Sequence, residues 1–147
     1  MVSAWASSPS DVFAVGGAYY GEGTILHYDG KKWSKTSAGR NNFLYGVWGS
    51  SPSDVFAVGV DGVILHYNGK TWRKMKSGTD RTLSAVWGSS PADVFAVGQG
   101  GTILHYDGTK WTTMTSGTKN KLSGVWGSSS SGVFAVGDGG TILHYSP

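Results

Sequence analysis

Apolar residues in this chain come in short runs of Val, Ile, Leu, Phe, Tyr and Trp, and no stretch repeats them at helical spacing. One stretch shows the arrangement in full: Leu83–Gly88, Val94–Gly98, Thr102–Tyr106 and Trp111–Thr115. Branched and aromatic side chains suit a pleated, half-buried surface, so each run predicts a β-strand. The residues between the runs are turn formers. Ser89-Ser90-Pro91 with Asp93 predicts one turn, because Pro presets φ and Ser or Asp can hydrogen-bond the local backbone. Gly100-Gly101 and Asp107-Gly108 predict two-residue hairpins, whose central residues need positive φ. The unit is four antiparallel strands, a to d.

The same phrase occurs four times. Trp5, Trp48, Trp87 and Trp126 head it at spacings of 43, 39 and 39, and residues 46–84 match 85–123 at 25 of 39 positions. The units are 1–45, 46–84, 85–123 and an incomplete 124–147 within a single domain, 1–147. A lone four-stranded meander cannot bury enough apolar surface to be stable. Strands b and c are apolar on both faces (Val94, Phe95, Ala96, Val97; Ile103, Leu104, Tyr106), so each sheet needs a cover on both sides. Radial stacking supplies both covers, and the period is close to that of a propeller blade, about 40–45 residues. The predicted fold is an all-β propeller of four-stranded antiparallel blades. A sandwich or barrel is the alternative, and near-identical units fit it poorly because its strands occupy unlike environments.

The fourth unit runs from Leu122 to Tyr145 and closes on Ser146-Pro147 with no Asp-Gly turn and no outer Trp, so its sheet is expected to lack strand d. Too few residues precede Trp5 to donate one. The edge of Thr141–Tyr145 is then open to pairing with another chain. Three arrangements fit: a four-bladed ring within one chain, two half-rings forming an eight-bladed propeller with two-fold symmetry, or a segment of a longer propeller. Short blades with Val-, Ala- and Gly-rich packing strands favour the larger ring, where the wedge between neighbours is narrow, and hence a homodimer.

The stretch FAVGxxGTILHYDGxxW resembles the BNR/Asp-box-like repeats, in the form found in photosystem II assembly-factor-like propellers, and the resemblance covers the whole chain as repeated units. It implies that an Asp-Gly turn and the following Trp join the third and fourth strands, at Asp29-Gly30/Trp33, Asn68-Gly69/Trp72 and Asp107-Gly108/Trp111. The strict Asp-box, S-x-D-x-G-x-x-W, separates Asp from Gly by one residue. Here the two are adjacent, which places the match among the looser relatives. No Trp-Asp dipeptide occurs, so the WD-repeat signature is absent. The resemblance implies a fold; propellers host many unrelated activities.

Composition narrows the function classes. Aromatics make 13% of the chain and charged residues only 14%, against about 25% in ordinary domains, which excludes a disordered chain. Without cysteine there is no disulfide, no thiolate nucleophile and no zinc–thiolate cluster. No window approaches 18 consecutive apolar residues, so no transmembrane helix and no membrane partner are expected. Met1 leads almost directly into the repeat, so no secretory leader is expected. All 12 Lys and Arg fall within Lys31–Arg40, Lys70–Arg81 and Lys110–Lys121, which predicts a basic outer rim that discourages edge-to-edge aggregation. A net charge of +3, with aromatics locked in the repeat, argues against a nucleic-acid partner.

His27, His66, His105 and His144 occupy the same ILHY phrase. A metal needs ligands that converge on one ion, whereas one position per blade is spread around the ring. The expected role is a structural network within each blade, uniting Trp48, Asp54 and His66 in one and Trp87, Ser90, Asp93 and His105 in the next. This resembles the His–Ser/Thr–Asp–Trp networks of WD-repeat blades, and a satisfied network fixes strand register. Asp11, Asp54 and Asp93 recur in SPxDVF as turn caps, and Gly132 replaces them in the fourth unit. Calcium would need several converging oxygens, so no metal or cofactor is expected. Neither is catalysis. Sialidases of the resembling fold use an arginine cluster with a Tyr–Glu pair and an Asp, but this chain holds one glutamate, Glu22, and three arginines, Arg40, Arg73 and Arg81. No distinctive pair of opposed carboxyl groups, nucleophile elbow, P-loop or Rossmann fingerprint is present.

Variable positions concentrate where the b–c and d–a loops emerge. The first unit carries an insertion there, Gly17–Gly23 with Tyr19 and Tyr20, and the Asp11–His27 spacing is 16 where Asp54–His66 is 12. The adjoining loops are Arg40-Asn41-Asn42-Phe43, Asp80-Arg81 and Lys119-Asn120-Lys121. Tyr19, Tyr20, Arg40, Asn41, Asn42, Arg81 and Asn120 are thus candidate ligand contacts, since flat rings stack and amides hydrogen-bond to a glycan or a protein. Drift in loops produces the same variability. Two readings follow: a lectin-like binding module whose repeated shallow pockets act together, and a structural segment that assembles with its own copy or with the rest of a longer chain.

Overall fold

The computed structural model describes residues 1–18 and 20–147. Its strands form four separate sheets, each made of consecutive strands paired antiparallel. The first holds β1 (Ser3–Ser8), β2 (Asp11–Gly17), β3 (Glu22–Tyr28) and β4 (Trp33–Arg40). The second holds β5 (Leu44–Ser51), β6 (Asp54–Gly59), β7 (Ile64–Tyr67) and β8 (Trp72–Met75). The third holds β9 (Leu83–Ser90), β10 (Asp93–Gly98), β11 (Ile103–Tyr106) and β12 (Trp111–Met114). The fourth has three strands: β13 (Leu122–Gly127), β14 (Val133–Gly137) and β15 (Thr141–Tyr145).

The turns differ from the expected two-residue hairpins. Strands c and d are joined by four residues, as in Asp107–Lys110. There the Asp107 carboxylate accepts from the backbone N–H of Thr109 at 2.8 Å and of Lys110 at 2.9 Å. A short acceptor side chain that satisfies two turn amides favours the longer loop, and Gly108 supplies the positive φ of 92°. Gly100-Gly101 also takes positive φ, but inside a single 3₁₀ turn, Gln99–Gly101. Matching turns at Val60–Gly62 and Asp138–Gly140 join b to c in the second and fourth sheets. In the first sheet the insertion instead lengthens the c–d ladder, which pairs Tyr28 with Trp33 at one end and Glu22 with Arg40 at the other.

Blades stack through their a strands, β1 on β5, β5 on β9 and β9 on β13. Each joint has its own core. Phe13, Val15 and Ile25 of the first blade meet Val47, Val55, Ala57 and Leu65 of the second. Phe56, Val58 and Ile64 of the second meet Val86, Val94, Ala96 and Leu104 of the third. Val97 of the third meets Leu122 and Ala135 of the fourth, with Ile103 and Leu143 packed alongside. Strand b is therefore buried on both faces in β6 and β10.

The stack does not close. Among the described residues, no comparable packing joins β13 back to β1, so a four-bladed ring within one chain is not what forms. The same sequence, VFAVG, is wholly buried in β10 but alternates between buried and exposed in β14. Phe134 is 42% exposed, while Phe13, Phe56 and Phe95 are at 1% or less. At the other end Trp33 is 51% exposed, while its equivalent Trp111 is 7% exposed. The molecule is an open stack of four blades with exposed apolar side chains on both end faces.

Candidate functional site

The histidines do not converge. Three of them face the aspartate that opens their own strand b, with Nε2 to carboxylate distances of 2.7 Å for His27–Asp11, 2.6 Å for His66–Asp54 and 2.7 Å for His105–Asp93. The second carboxylate oxygen accepts from Ser7, Ser50 or Ser89. The serine beside Asp93 is thus Ser89, not Ser90, whose hydroxyl caps the backbone N–H of Ala92. His144 faces no such acid because Gly132 stands in its place, and its ring stacks on Phe134 at 4.4 Å. Among the described residues, no three His, Asp or Glu side chains group as a metal site would need.

The tryptophans expected in this network do other work. Trp48 and Trp87 turn their indoles toward the next blade. A Cβ added to Gly88 would stand 2.6 Å from the Trp48 ring, and one added to Gly127 would stand 2.7 Å from the Trp87 ring. Trp5 lies against Gly49 in the same way. This joint is missing from the sequence reading, although the Trp-Gly dipeptide at Trp48, Trp87 and Trp126 could have signalled it. In the first unit the residue after the tryptophan is Ala6.

Of the loop candidates, the structure brings together Tyr20, Arg40 and Asn41. They line an open cavity of about 540 Å³ with Gly21 and Glu22. Tyr20 and Asn41 also border a neighbouring cavity of about 340 Å³ with Phe43, Val60, Asp61 and Thr82. Both residues hold positive φ, 62° and 59°. Tyr20 is 92% exposed. Three candidates lie elsewhere. Asn42 donates to the Ala38 carbonyl at 2.7 Å, and Asn120 donates to the Asp138 carbonyl and to Thr141 Oγ1, so both amides tie loops to the fold. Arg81 belongs to a separate groove with Asp61 and Asp80. Tyr19 lies outside the described residues.

Charge at the rim is unbalanced locally. Among the described residues, no Lys or Arg pairs with a carboxylate, and the acids of the strand-b turns face His27, His66 and His105 instead. The Asp29 and Asp107 carboxyls sit below the ordinary aspartate range, chiefly because the amides of Lys32 and Lys31, and of Lys110 and Thr109, donate to them. Burial pushes the Tyr106 hydroxyl up, helped by the charges of Asp54 and Asp107.

No protein-family model matches the chain. No curated protein sequence matches it either. Among solved structures it is similar to YCF48 from Cyanidioschyzon merolae, with a TM-score of 0.78 and 14% identity, covering 99% of this chain and 50% of that one. It is also similar to YCF48 bound to D1 peptide, with a TM-score of 0.73 and 14% identity, covering 99% of this chain and 49% of that one. The chain thus spans about half the length of the structures it matches, and at this identity the likeness is one of fold: consecutive blades of a β-propeller.

Proposed function

We propose that this chain is a non-catalytic propeller module that assembles through its uncovered blade faces and offers its loop face to a protein or glycan ligand. The observation that carries the assembly is the exposure of Phe134, Val136 and Ile142 on one end face and Trp33 on the other. The equivalents of these residues form the cores between blades inside the chain. Exposed apolar patches of this kind mark interaction surfaces. A second copy supplies the complement of each face, giving eight blades around a two-fold axis.

The loop-face ligand rests on the cluster of Tyr20, Arg40 and Asn41. One structure of similar fold is of a YCF48 bound to a D1 peptide, which favours a protein ligand over a glycan. A second reading, a segment of a longer propeller whose own blades cover both faces, is supported by the half-length match to YCF48.

Light scattering on the eluting protein tests the assembly. The unaltered chain is expected at twice 15.5 kDa, and Ile142→Glu, on the exposed face, is expected to give single chains with unchanged β-sheet circular dichroism. A dimer that survives Ile142→Glu would refute the face-to-face joint. For the loop face, peptide and glycan arrays are expected to give signals that Arg40→Ala and Tyr20→Ala abolish.

A further inference from the structure

The joint between the first and second blades carries an open cavity of about 390 Å³ on its outer flank. That volume lies within the range of about 300–1,000 Å³ usual for small-molecule sites. His27 of β3 and Ser34 and Thr36 of β4 border it from the first blade, and Tyr67, Thr71 and Trp72 border it from the second. Beneath them the two blades are joined by the core of Phe13, Ile25, Val55 and Leu65. The cavity shares no residue with those lined by Tyr20, Arg40 and Asn41.

Register shows what opens it. Thr36 lies opposite Ile25, whereas Met75 lies opposite Ile64 and Met114 opposite Ile103. Ser34 lies opposite His27, whereas Arg73 lies opposite His66. In the joint between the second and third blades Met75 packs into the core, and Trp111 is only 7% exposed. In the first joint Thr36 is exposed, and Trp72, the equivalent of Trp111, is half-buried. The aromatic arrangement is otherwise the same: Trp72 meets Phe13 edge-on at 6.0 Å and lies 5.2 Å from Tyr67, and Trp111 meets Phe56 edge-on at 5.8 Å and lies 5.3 Å from Tyr106. Two long side chains have given way to two short hydroxyls beside an intact indole.

We infer that this flank cavity binds a pyranose sugar, seated against Trp72 and Tyr67 with its hydroxyls on Thr36 and Thr71. A pyranose has an apolar C–H face that packs on an aromatic ring and a rim of hydroxyls that need polar partners. Among the described residues, the hydroxyls of Thr36 and Thr71 hold no hydrogen bond, so each is open to donate one and accept two. No carboxylate lines the cavity, Lys70 is an exposed residue at its edge, and His27 is already engaged with Asp11. Recognition therefore rests on rings and hydroxyls rather than on charge. The inference goes beyond the loop-face reading and stands whether or not that reading holds, because the walls of this cavity belong to β2, β3, β4 and the second blade's β7, β8 and the turn between them.

The probes are methyl glucoside, methyl galactoside, methyl mannoside and methyl fucoside, with N-acetyl-leucine amide as a stand-in for a protein side chain. Saturation-transfer nuclear magnetic resonance on the full chain is expected to show transfer to at least one of the sugars. On titration with that sugar the indole N–H resonance of Trp72 is expected to shift and that of the buried Trp111 to stay. Thr36→Met installs the side chain that Met75 and Met114 provide in the other blades, and it is expected to weaken binding at least tenfold with an unchanged circular dichroism spectrum. Ser34→Arg, at the exposed edge of the cavity, is expected to weaken it several-fold. The inference is overturned if no sugar receives transfer or if Thr36→Met and Ser34→Arg both bind unimpaired; loss in Arg40→Ala instead would place the sugar on the loop face. It is overturned equally if N-acetyl-leucine amide alone binds and Thr36→Met abolishes that binding, because the cavity would then be a seat for a protein side chain.

Discussion

Gly132 stands where Asp11, Asp54 and Asp93 stand in the other units, and the fourth sheet registers the loss. β9 and β10 run to Ser90 and from Asp93, which pair with each other, whereas β13 stops at Gly127 and β14 begins only at Val133. A Cβ at Gly132 would meet Ser128 Oγ at 3.2 Å and Ser129 Oγ at 3.5 Å, so a side chain there needs only a serine hydroxyl to turn aside. Gly132→Asp is expected to rebuild the Ser–Asp–His arrangement with Ser128 and His144 and to raise stability by about 1 kcal/mol, read from urea denaturation. No gain would mean that the acid does not set the register. The turn aspartates give a second test at this scale. Because the folded-state pKa of Asp29 and Asp107 is lowered, their contribution is present above the unfolded value of about 4 and is lost as pH falls through the folded value. Asn68 makes the same two turn bonds without a charge, from Lys70 and Thr71. The double variant Asp29→Asn, Asp107→Asn is therefore expected to keep its neutral-pH stability and to lose stability less steeply below about pH 4, as followed by acid titration of the near-ultraviolet circular dichroism.

Between elements, the blade joint depends on how closely an indole can approach a strand. Trp48 rests on β9 at Gly88, where a methyl group would stand 2.6 Å from the ring and 2.9 Å from the Asp93 carbonyl oxygen. Gly88→Ala is expected to cost about 1–3 kcal/mol, the usual price of overpacking, measured as a lower urea midpoint with an unchanged slope. A neutral outcome would show that the indole and the Asp93 carbonyl can both move aside. Strand positions and the four-unit architecture were legible because alternation and turn residues repeat with every unit. The turns were less so: Asp107-Gly108 reads as a two-residue hairpin until the side-chain carboxylate is seen to take two backbone donors. The Trp–Gly contact was invisible to strand-pattern reasoning because it joins different sheets, and periodicity reports only on pairing within one. For the same reason the repeat pattern alone points Trp48 and Trp87 to the histidine network. Asn42 and Asn120 looked like ligand contacts because loop amides in sequence cannot be told from loop amides already committed to backbone carbonyls.

At the scale of the molecule, the two end faces are versions of the internal joints, and one mismatch falls where an indole is received. Trp126 is 64% exposed and occupies the place from which Trp5, Trp48 and Trp87 reach the next blade. The blade it would meet in a second copy offers Ala6 where Gly49, Gly88 and Gly127 receive an indole. Under the two-copy reading, Ala6→Gly removes the obstructing methyl and is expected to tighten self-association several-fold; an unchanged dissociation constant would favour blades of a longer chain as the natural cover. The most direct test of the half-ring is the mass of the unaltered chain by sedimentation equilibrium at micromolar concentration. The account predicts a particle of two chains, twice 15.5 kDa. A particle of 15.5 kDa at every concentration would contradict it, because Trp33, Phe134 and Ile142 would then remain in water.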